Sequence, residues 1–308
     1  MKILLLGCTG QVGWELQRSL APLGELVALS RDSQSNPGKL SGDLSDAQGL
    51  VDTVRAVRPD VIVNAAAYTA VDKAESEPDL ARSINATAPG VLALEAKRLG
   101  AWLLHYSTDY VFDGSGTRAW TETDTVAPLN AYGQTKWEGE RAVAVCARHL
   151  ILRTSWVYGA RGGNFAKTML RLASTRETLQ VINDQTGAPT GADLLADCTA
   201  HVVRRLTHGD ASTDTLAGTY HLAASGHTTW HDYAQFVIDS CRTARPDAAL
   251  AVRAIEPVTS ATFASAAKRP LNSRLDTRKM QATFGLHLPS WETGVARMLT
   301  EINYEYAH

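Results

Sequence analysis

Short apolar runs alternate with longer amphipathic segments through the first 155 residues. The runs are Ile3–Leu6, Leu26–Leu29, Val61–Val63, Trp102–Tyr106 and Leu150–Leu152. Because they are almost wholly apolar, they predict strands that are buried on both faces of a sheet. Strands that alternate with helices at this spacing predict βαβ units. We therefore expect an α/β fold built on a doubly wound parallel sheet.

The pattern becomes less regular beyond Ser155. We expect loops at Arg161–Asn164, Asp184–Gly191 and Lys268–Ser273, helices at about Asn164–Ser174 and Trp230–Cys241, and a last helix that starts near Pro289–Glu292. A chain of 308 residues is long enough to form two domains. We expect a sheet domain of residues 1–155 plus about 192–222. Residues 156–191 and about 223–308 would form a smaller, mixed α/β domain.

Composition excludes several classes of protein. The chain is 44% hydrophobic, which is too much for a disordered protein, and its net charge of −2 gives no reason to expect nucleic acid. The apolar run at the N-terminus is too short for a signal peptide, and no run is long enough for a membrane helix. The four cysteines lack a CxxC pair, which favours reduced thiols over a zinc site. These observations predict a cytoplasmic protein without a membrane partner.

A glycine loop, Gly7-Cys8-Thr9-Gly10-Gln11-Val12-Gly13, joins the first strand to a helix that starts near Gln11. Glycines allow a tight turn and a close approach of backbone amides to a pyrophosphate, and the helix N-terminus attracts the anion. Glycines can also simply close a turn. The position directly after the first strand favours a Rossmann-type dinucleotide site. The GxxGxxG spacing resembles that of extended short-chain dehydrogenases.

The residues after the second strand bear on the choice of dinucleotide. NAD sites usually place an acid at the end of this strand, but here Ser30 occupies that position and Arg31 follows. A guanidinium can pair with a 2′-phosphate, which favours NADPH. NADH is the alternative, with Arg31 solvated and Asp32 turned toward the ribose. The small residues Ala65–Ala67 after the third strand would let the cofactor lie against the backbone.

Tyr132 and Lys136 are four residues apart, so a helix would place both on one face. A nearby ammonium lowers the pKa of a tyrosine, which would make the pair a general acid–base. The alternative is an ordinary surface helix. Thr108 follows a predicted strand at the sheet edge where ligands bind, and it could hydrogen-bond a substrate carbonyl or merely cap a turn. The three together, behind a glycine loop, favour a catalytic site.

The chain resembles the dTDP-4-dehydrorhamnose reductase family over essentially its whole length. The stretches that carry this resemblance are Gly7–Gly13, Ala65–Glu75, Ser107–Asp113, Tyr132–Glu140, Arg153–Gly159, Asn164–Phe165, Asp184–Thr190 and Arg269–Leu275. The resemblance implies an oxidoreductase that transfers hydride from NADPH to C4 of dTDP-4-dehydro-L-rhamnose. In the implied reaction, Tyr132 is the acid, Lys136 holds the nicotinamide ribose and Thr108 polarises the carbonyl. The product would serve lipopolysaccharide O-antigen synthesis.

The resemblance also implies the roles of further residues. The expected cofactor-binding residues are Gly7, Gly10, Gln11, Val12, Gly13, Ser30, Arg31, Asp43, Leu44, Ala65, Ala66, Ala67, Thr69, Tyr106, Tyr132 and Lys136. The expected substrate-binding residues are Thr108, Asp109, Tyr110, Val71, Trp156, Asn164 and Arg274. Core packing is the alternative role for Trp156.

Some members of this family are magnesium-linked dimers, and Glu15 and Asp193 resemble the carboxylates involved. A homodimer is therefore expected, with Mg²⁺ as its link or with these two acids simply solvated. Two other functions stay open. One is a nucleotide-sugar epimerase or dehydratase, although Tyr110 stands where a dehydratase carries a carboxylate acid. The other is a non-catalytic, nucleotide-binding regulatory subunit.

Overall fold

A computed structural model describes residues 1–32, 40–208, 211–246, 250–263 and 265–305 of the chain. Its strands are β1 Lys2–Leu6, β2 Glu25–Leu29, β3 Val61–Asn64, β4 Trp102–Thr108, β5 His149–Thr154, β6 Val157–Tyr158, β7 Thr178–Ile182, β8 Thr186–Gly187, β9 Thr190–Gly191, β10 Gly218–His221, β11 Thr228–Thr229 and β12 Ala254–Val258. Its α-helices are α1 Gln11–Leu20, α2 Ala47–Val57, α3 Val71–Ala74, α4 Pro78–Arg82, α5 Ala88–Leu99, α6 Ala131–Val143, α7 Phe165–Ala173, α8 Ala192–His208, α9 Trp230–Ala244, α10 Arg278–Phe284 and α11 Trp291–Glu305.

The central sheet has six parallel strands in the order β10-β5-β4-β3-β1-β2. The five apolar runs of the sequence form β1 to β5, as predicted. The sixth strand, β10, was not predicted as a strand because Gly218–His221 has no apolar run. It lies at the edge of the sheet, where its one partner among the described strands is β5.

Helices cover both faces of this sheet, which confirms the doubly wound architecture. Alternate residues of β1 show the division: Ile3 and Leu5 pack with α1 and α8 on one face. Leu4 and Leu6 pack with α2 and α5 on the other face. Both faces are therefore buried, which explains why the strands read as continuous apolar runs.

The less regular half contains α7, α9 and α11, which pack around Tyr233 and Trp291 in a core of their own. The predicted helices are present, with α7 starting one residue later than expected and α9 running on to Ala244. The expected loop of Asp184–Gly191 includes β8 and β9, each of two residues. The domain boundaries stay a prediction. In the described part of the chain, no helix is both long enough and apolar enough to cross a membrane.

Candidate active site

A cavity of about 640 Å³ opens at the carboxyl ends of β1, β3 and β4. This is the edge where ligands bind in doubly wound folds. It brings together most of the residues that the sequence singled out: Gly7, Gly10, Gln11, Val12, Arg31, Asp43, Leu44, Ala65, Ala66, Ala67, Thr69, Val71, Tyr106, Thr108, Asp109, Tyr110, Tyr132, Lys136 and Trp156.

The glycine loop has the geometry that a dinucleotide needs. Gly7 has a φ of +83°, and a Cβ there would overlap the backbone of Ala66. A Cβ on Gly13 would overlap the carbonyl of Gly7, so Gly13 lets α1 pack against the loop rather than lining the cavity. Gly10 caps α1 without a side-chain hydrogen bond, which leaves first-turn N–H groups for an anion.

Gln11 gives a second sign that a polar ligand fits this loop. Its Oε1 atom is buried and has no hydrogen-bond partner, although the residue lines the cavity. A buried polar atom without a partner is costly, so a ligand that donates a hydrogen bond there would be stabilised. The residues present therefore fit a dinucleotide cofactor.

Arg31 and Asp32 both line the cavity beyond the end of β2, whereas Ser30 does not. The two side chains that discriminate between NADPH and NADH in the sequence argument are thus both placed at the site. Asp43 also lines it, with Oδ1 accepting hydrogen bonds from the backbone and the hydroxyl of Ser45.

Thr108 and Tyr132 meet inside the cavity. Thr108 is the last residue of β4, and its Oγ1 accepts a hydrogen bond from the amide of Tyr110 at 3.1 Å. Asn130 caps α6 by accepting from the amide of Gly133, and this cap fixes the turn that carries Tyr132. The side chains of Thr108 and Tyr132 both line this cavity, and the Thr108 side chain favours the charged form of Tyr132. A carbonyl oxygen placed beside them would face two hydroxyl groups.

Tyr132 differs from expectation in its pKa. Burial raises the pKa of Tyr132 to about 12, because desolvation outweighs the opposing effect of the Thr108 side chain. Lys136 instead donates to the carbonyl of Tyr106 at 2.6 Å. Burial lowers the pKa of Lys136 to about 8. The phenol is consequently protonated at neutral pH, which is the form that an acid in a reduction requires.

Asp109 is the most unusual acid of the site. It is only 2% exposed, burial raises its pKa to about 7, and its Oδ2 atom has no hydrogen-bond partner. Its neighbour Tyr110 packs edge-on against Tyr132 with ring centroids 5.6 Å apart. Arg269 donates to Asp72 at 2.7 Å, and it lies close enough to Tyr110 for its charge to act on the phenol. Sequence reasoning did not assign Arg269 to the site, although the residue begins a stretch that carries the resemblance.

Trp156 forms the far wall of the cavity together with Trp230, which the sequence did not indicate. Their rings are stacked with centroids 3.5 Å apart. Trp156 has a φ of +47°, and a Cβ on Gly187 would overlap its ring. The indole is therefore held in one position by its neighbours, while one part of it still lines the cavity. Nothing in the sequence links two tryptophans 74 positions apart, since stacking depends on the tertiary fold.

Two expected substrate residues lie outside the cavity lining. Asn164 caps α7, accepting from the amide of Lys167 and donating to the carbonyl of Gly159 at 2.7 Å. Arg274 donates to Asn272 at 2.8 Å. Local capping and loop contacts account for both side chains.

A buried polar layer lies directly behind the catalytic residues. Glu140 accepts from Ser107 at 2.6 Å and from Arg153 at 2.9 and 2.6 Å. His105 lies between Asn64 and Lys136. We predicted no role in the site for Glu140 or His105 from the sequence. The spacing of four between Lys136 and Glu140 is a signal that could have indicated the former.

The expected magnesium ligands, Glu15 and Asp193, line one pocket and each lies beside an arginine. Asp193 accepts from Arg297 at 2.9 Å and from the amide of Leu194, and Glu15 pairs with Arg18 at 3.6 Å. In this chain both carboxylates are thus paired with guanidinium groups. Within the described ranges, no group of three or more His, Cys, Asp or Glu side chains could hold a metal.

Comparison with known proteins agrees with this geometry. The family model of the RmlD substrate binding domain matches residues 1–304. The dTDP-4-dehydrorhamnose reductase of Salmonella typhimurium is 57% identical over 303 residues, which is 98% of either chain. That of Escherichia coli K12 is 57% identical over 304 residues, with the same coverage.

The chain belongs to the dTDP-4-dehydrorhamnose reductase family. Among solved structures, the dTDP-4-dehydrorhamnose reductase of Bacillus anthracis in complex with NADP has a TM-score of 0.83 and 34% identity, covering 97% of this chain and 99% of its own. The likeness to reductases of this family therefore extends over the sheet and over the less regular half. The Thermus thermophilus UDP-glucose 4-epimerase, at 16% identity and a TM-score of 0.76, shares the fold.

Proposed function

We propose that this protein uses NADPH to reduce the C4 keto group of dTDP-4-dehydro-L-rhamnose, forming dTDP-L-rhamnose. The observation that carries the proposal is the pair of Thr108 and Tyr132 side chains that line the cavity at the sheet edge. It lies in one cavity with the glycine loop, in a chain that is 57% identical to reductases that carry this name.

The residues of the chain divide the work in the following way. NADPH, held by the glycine loop, Ala65–Ala67 and Arg31, supplies the hydride when bound. Thr108 and Tyr132 hydrogen-bond the carbonyl oxygen of the sugar, so that charge developing on that oxygen is stabilised. The phenol of Tyr132 then gives its proton to the same oxygen, and the ketone gains one hydride and one proton. Lys136, buried beside Tyr132, orients the site.

The sugar is expected between Trp156 and Tyr110. Asp109, with one unpartnered carboxylate oxygen, is suited to accept a hydrogen bond from a sugar hydroxyl. We infer that Arg269, rather than Arg274, supplies the cation of this wall, because the charge of Arg269 acts on Tyr110 whereas Arg274 donates to Asn272.

We also infer the domain organisation, the cellular compartment and the assembly state of the protein. We infer a nucleotide domain of residues 1–155 and about 192–222, supported by the pairing of β10 with β5. The free thiols of Cys8, Cys146, Cys198 and Cys241 are suited to a reducing compartment, so we propose a cytoplasmic enzyme. A homodimer and a supply of rhamnose to O-antigen are predictions from the family. A magnesium ion shared between two subunits at Glu15 and Asp193 is likewise a prediction from the family alone.

The test is a turnover assay. Purified protein is mixed with NADPH and, separately, with dTDP-4-dehydro-L-rhamnose and a panel of other nucleotide 4-keto sugars, and NADPH absorbance is followed. Consumption with the dTDP sugar is expected. Binding of NADPH without consumption of it on any sugar would favour the regulatory subunit and refute the reductase. Conversion of a 4-hydroxy sugar without net NADPH consumption would indicate an epimerase.

A further inference from the structure

His105 on β4 is a fully buried histidine that the proposed mechanism does not use. One ring nitrogen, Nε2, lies 3.3 Å from Nζ of Lys136 on α6. The other, Nδ1, lies 3.1 Å from Nδ2 of Asn64 on β3. Asn64 is also fully buried. The imidazole is therefore placed between a strand-end amide and the lysine of the site.

The contacts of Asn64 determine which nitrogen of His105 carries the proton. The amide of Ala66 donates to Oδ1 of Asn64 at 3.2 Å, so the NH₂ group of Asn64 must face His105. An NH₂ group can only donate, and Nδ1 of His105 must accept. A neutral imidazole with Nδ1 as the acceptor carries its hydrogen on Nε2, the atom that faces Lys136.

Burial keeps the ring neutral. The pKa of His105 lies well below its ordinary value because of desolvation and, second, the nearby charge of Lys136. The Nε2–H group then points at the lysine nitrogen. An ammonium offers this donor no lone pair, whereas a neutral amine accepts a hydrogen bond from it.

We propose that His105 is a positioning residue for Lys136: fixed by Asn64 with its proton on Nε2, it donates a hydrogen bond to the Lys136 amine. The effect of His105 on turnover rests on the proposed reductase function. Once Tyr132 has given its proton to the sugar oxygen, a proton from the Lys136 ammonium restores the phenol, and the lone pair left on Lys136 accepts from Nε2–H. When a proton returns from solvent, the ammonium forms again. His105 keeps its own proton throughout, and the sum of protons balances.

Other charged or titratable groups around Lys136 also influence its protonation. On its own helix, Glu140 favours the ammonium, and Arg153 from β5 neutralises part of that charge. Tyr132 and the carboxyl of Asp109 face the site from α6 and from the turn after β4.

Charges on the neighbouring short helices are occupied elsewhere. From the segment after α3, Glu75 accepts from the amide of Ala131. Arg82 of α4 pairs with Glu138. The donor of His105 therefore acts on Lys136 in addition to burial.

The first test is made on the free protein and needs no turnover. The chain is labelled with ¹⁵N-histidine, and the ring nitrogens are followed by long-range ¹H–¹⁵N correlation NMR between pH 6 and 9. The signals missing from a His105→Gln variant identify His105. We expect a neutral ring with the proton on Nε2 over this whole range. A proton on Nδ1, or an imidazolium at pH 7, would overturn the proposal.

The second test uses the pH profile of kcat. In His105→Leu the donor is lost, so the ammonium of Lys136 should persist to higher pH and the high-pH limb should move up by about one unit. His105→Gln, which keeps an N–H donor, should restore the limb. In Asn64→Asp the new carboxylate accepts from Nδ1–H, Nε2 becomes an acceptor for the ammonium, and the limb should again move up.

His221→Gln is the matched control, because His221 is equally buried and its Nδ1 atom lies 3.0 Å from the carbonyl of Trp120. The high-pH limb of the kcat profile of His221→Gln should stay at the pH of the wild-type limb. A merely structural role for His105 would lower kcat in both His105 variants without moving the limb, and that result would refute the proposal. If wild type consumes no NADPH, the proposed function fails while the NMR result still decides the tautomer. If His105→Leu does not fold, Asn64→Asp and the NMR measurement decide.

Discussion

Glu140 and Arg153 form an ion pair directly behind the catalytic residues, with two hydrogen bonds and only 5% of either side chain exposed. Glu140 also accepts from Ser107, the residue before Thr108. Removing one partner of a buried pair leaves the other charge without compensation, which typically costs about 3–5 kcal/mol. The pair therefore connects the stability of the sheet to the geometry of the site.

Arg153→Leu should accordingly lower the free energy of unfolding by about 3–5 kcal/mol, measured by urea denaturation. Arg253→Leu is the matched control: Arg253 pairs with Glu177, and both side chains are mostly exposed. That substitution should change the free energy of unfolding by less than about 1 kcal/mol. Equal losses in the two variants would contradict the importance given to the buried pair.

Tyr132→Phe should reduce kcat by about 10²–10⁴-fold, because it removes the acid that protonates the sugar oxygen. The Kd for NADPH, measured by fluorescence titration, should change little, since the ring that packs against Tyr110 is kept. Tyr220→Phe, which removes a hydroxyl that donates to the carbonyl of Leu216, should leave kcat unchanged. Near-normal turnover in Tyr132→Phe would show that another group supplies the proton.

The residues around Tyr132 show how far sequence reasoning reaches. The spacing of Tyr132 and Lys136 predicts that both lie on one helix face, because helical periodicity is a local property, and in the structure both line one cavity. Burial is not local, and it reverses the expected direction of the shift in the pKa of Tyr132. Trp230 and Arg269 reach the site from distant parts of the chain, so only the fold could place them there.

The same distinction applies to strands and caps. The apolar runs predict β1 to β5 because a strand buried on both faces needs them, whereas the edge strand β10 does not. Asn164 was expected in the substrate site and instead caps α7. An asparagine that precedes a helix has this local role available, and in this structure it is the role that the contacts show.

Arg31→Ala should weaken binding of NADPH about tenfold or more, because the 2′-phosphate loses its guanidinium partner. Binding of NADH, which lacks that phosphate, should change much less. Asp32→Ala is the complementary variant, since Asp32 also lines the cavity and would repel a 2′-phosphate. It should leave NADPH binding intact or improve it. The two Kd values are measured by titration calorimetry, and equal losses for both cofactors in Arg31→Ala would remove Arg31 from the phosphate site.

Asp109→Asn should stabilise the protein and weaken substrate binding. The folded protein raises the pKa of Asp109 from 3.8 to about 7, so it binds the proton more tightly than the unfolded chain does. Stability is therefore lost as the pH rises from about 4 to 7, by up to about 4 kcal/mol. The amide variant escapes this loss. Its free energy of unfolding should exceed that of wild type above pH 7, and the two should converge toward pH 4.

Asp113→Asn is the control with the opposite sign. The amide and hydroxyl of Ser115 lower the pKa of Asp113, so its charge stabilises the folded protein at neutral pH and the contribution is lost as the pH falls toward and below 4. Removing that charge should slightly destabilise the protein at pH 7.

Unfolding of wild type, Asp109→Asn and Asp113→Asn in urea is followed at pH 4, 6 and 8, and KM for the sugar is measured at pH 7. For Asp109→Asn we expect a higher KM together with a higher free energy of unfolding. Both are expected because one oxygen of the Asp109 carboxylate has no partner in the folded protein, which destabilises the fold, and the same oxygen is proposed to bind the sugar. Unchanged KM would leave Asp109 without a role in binding.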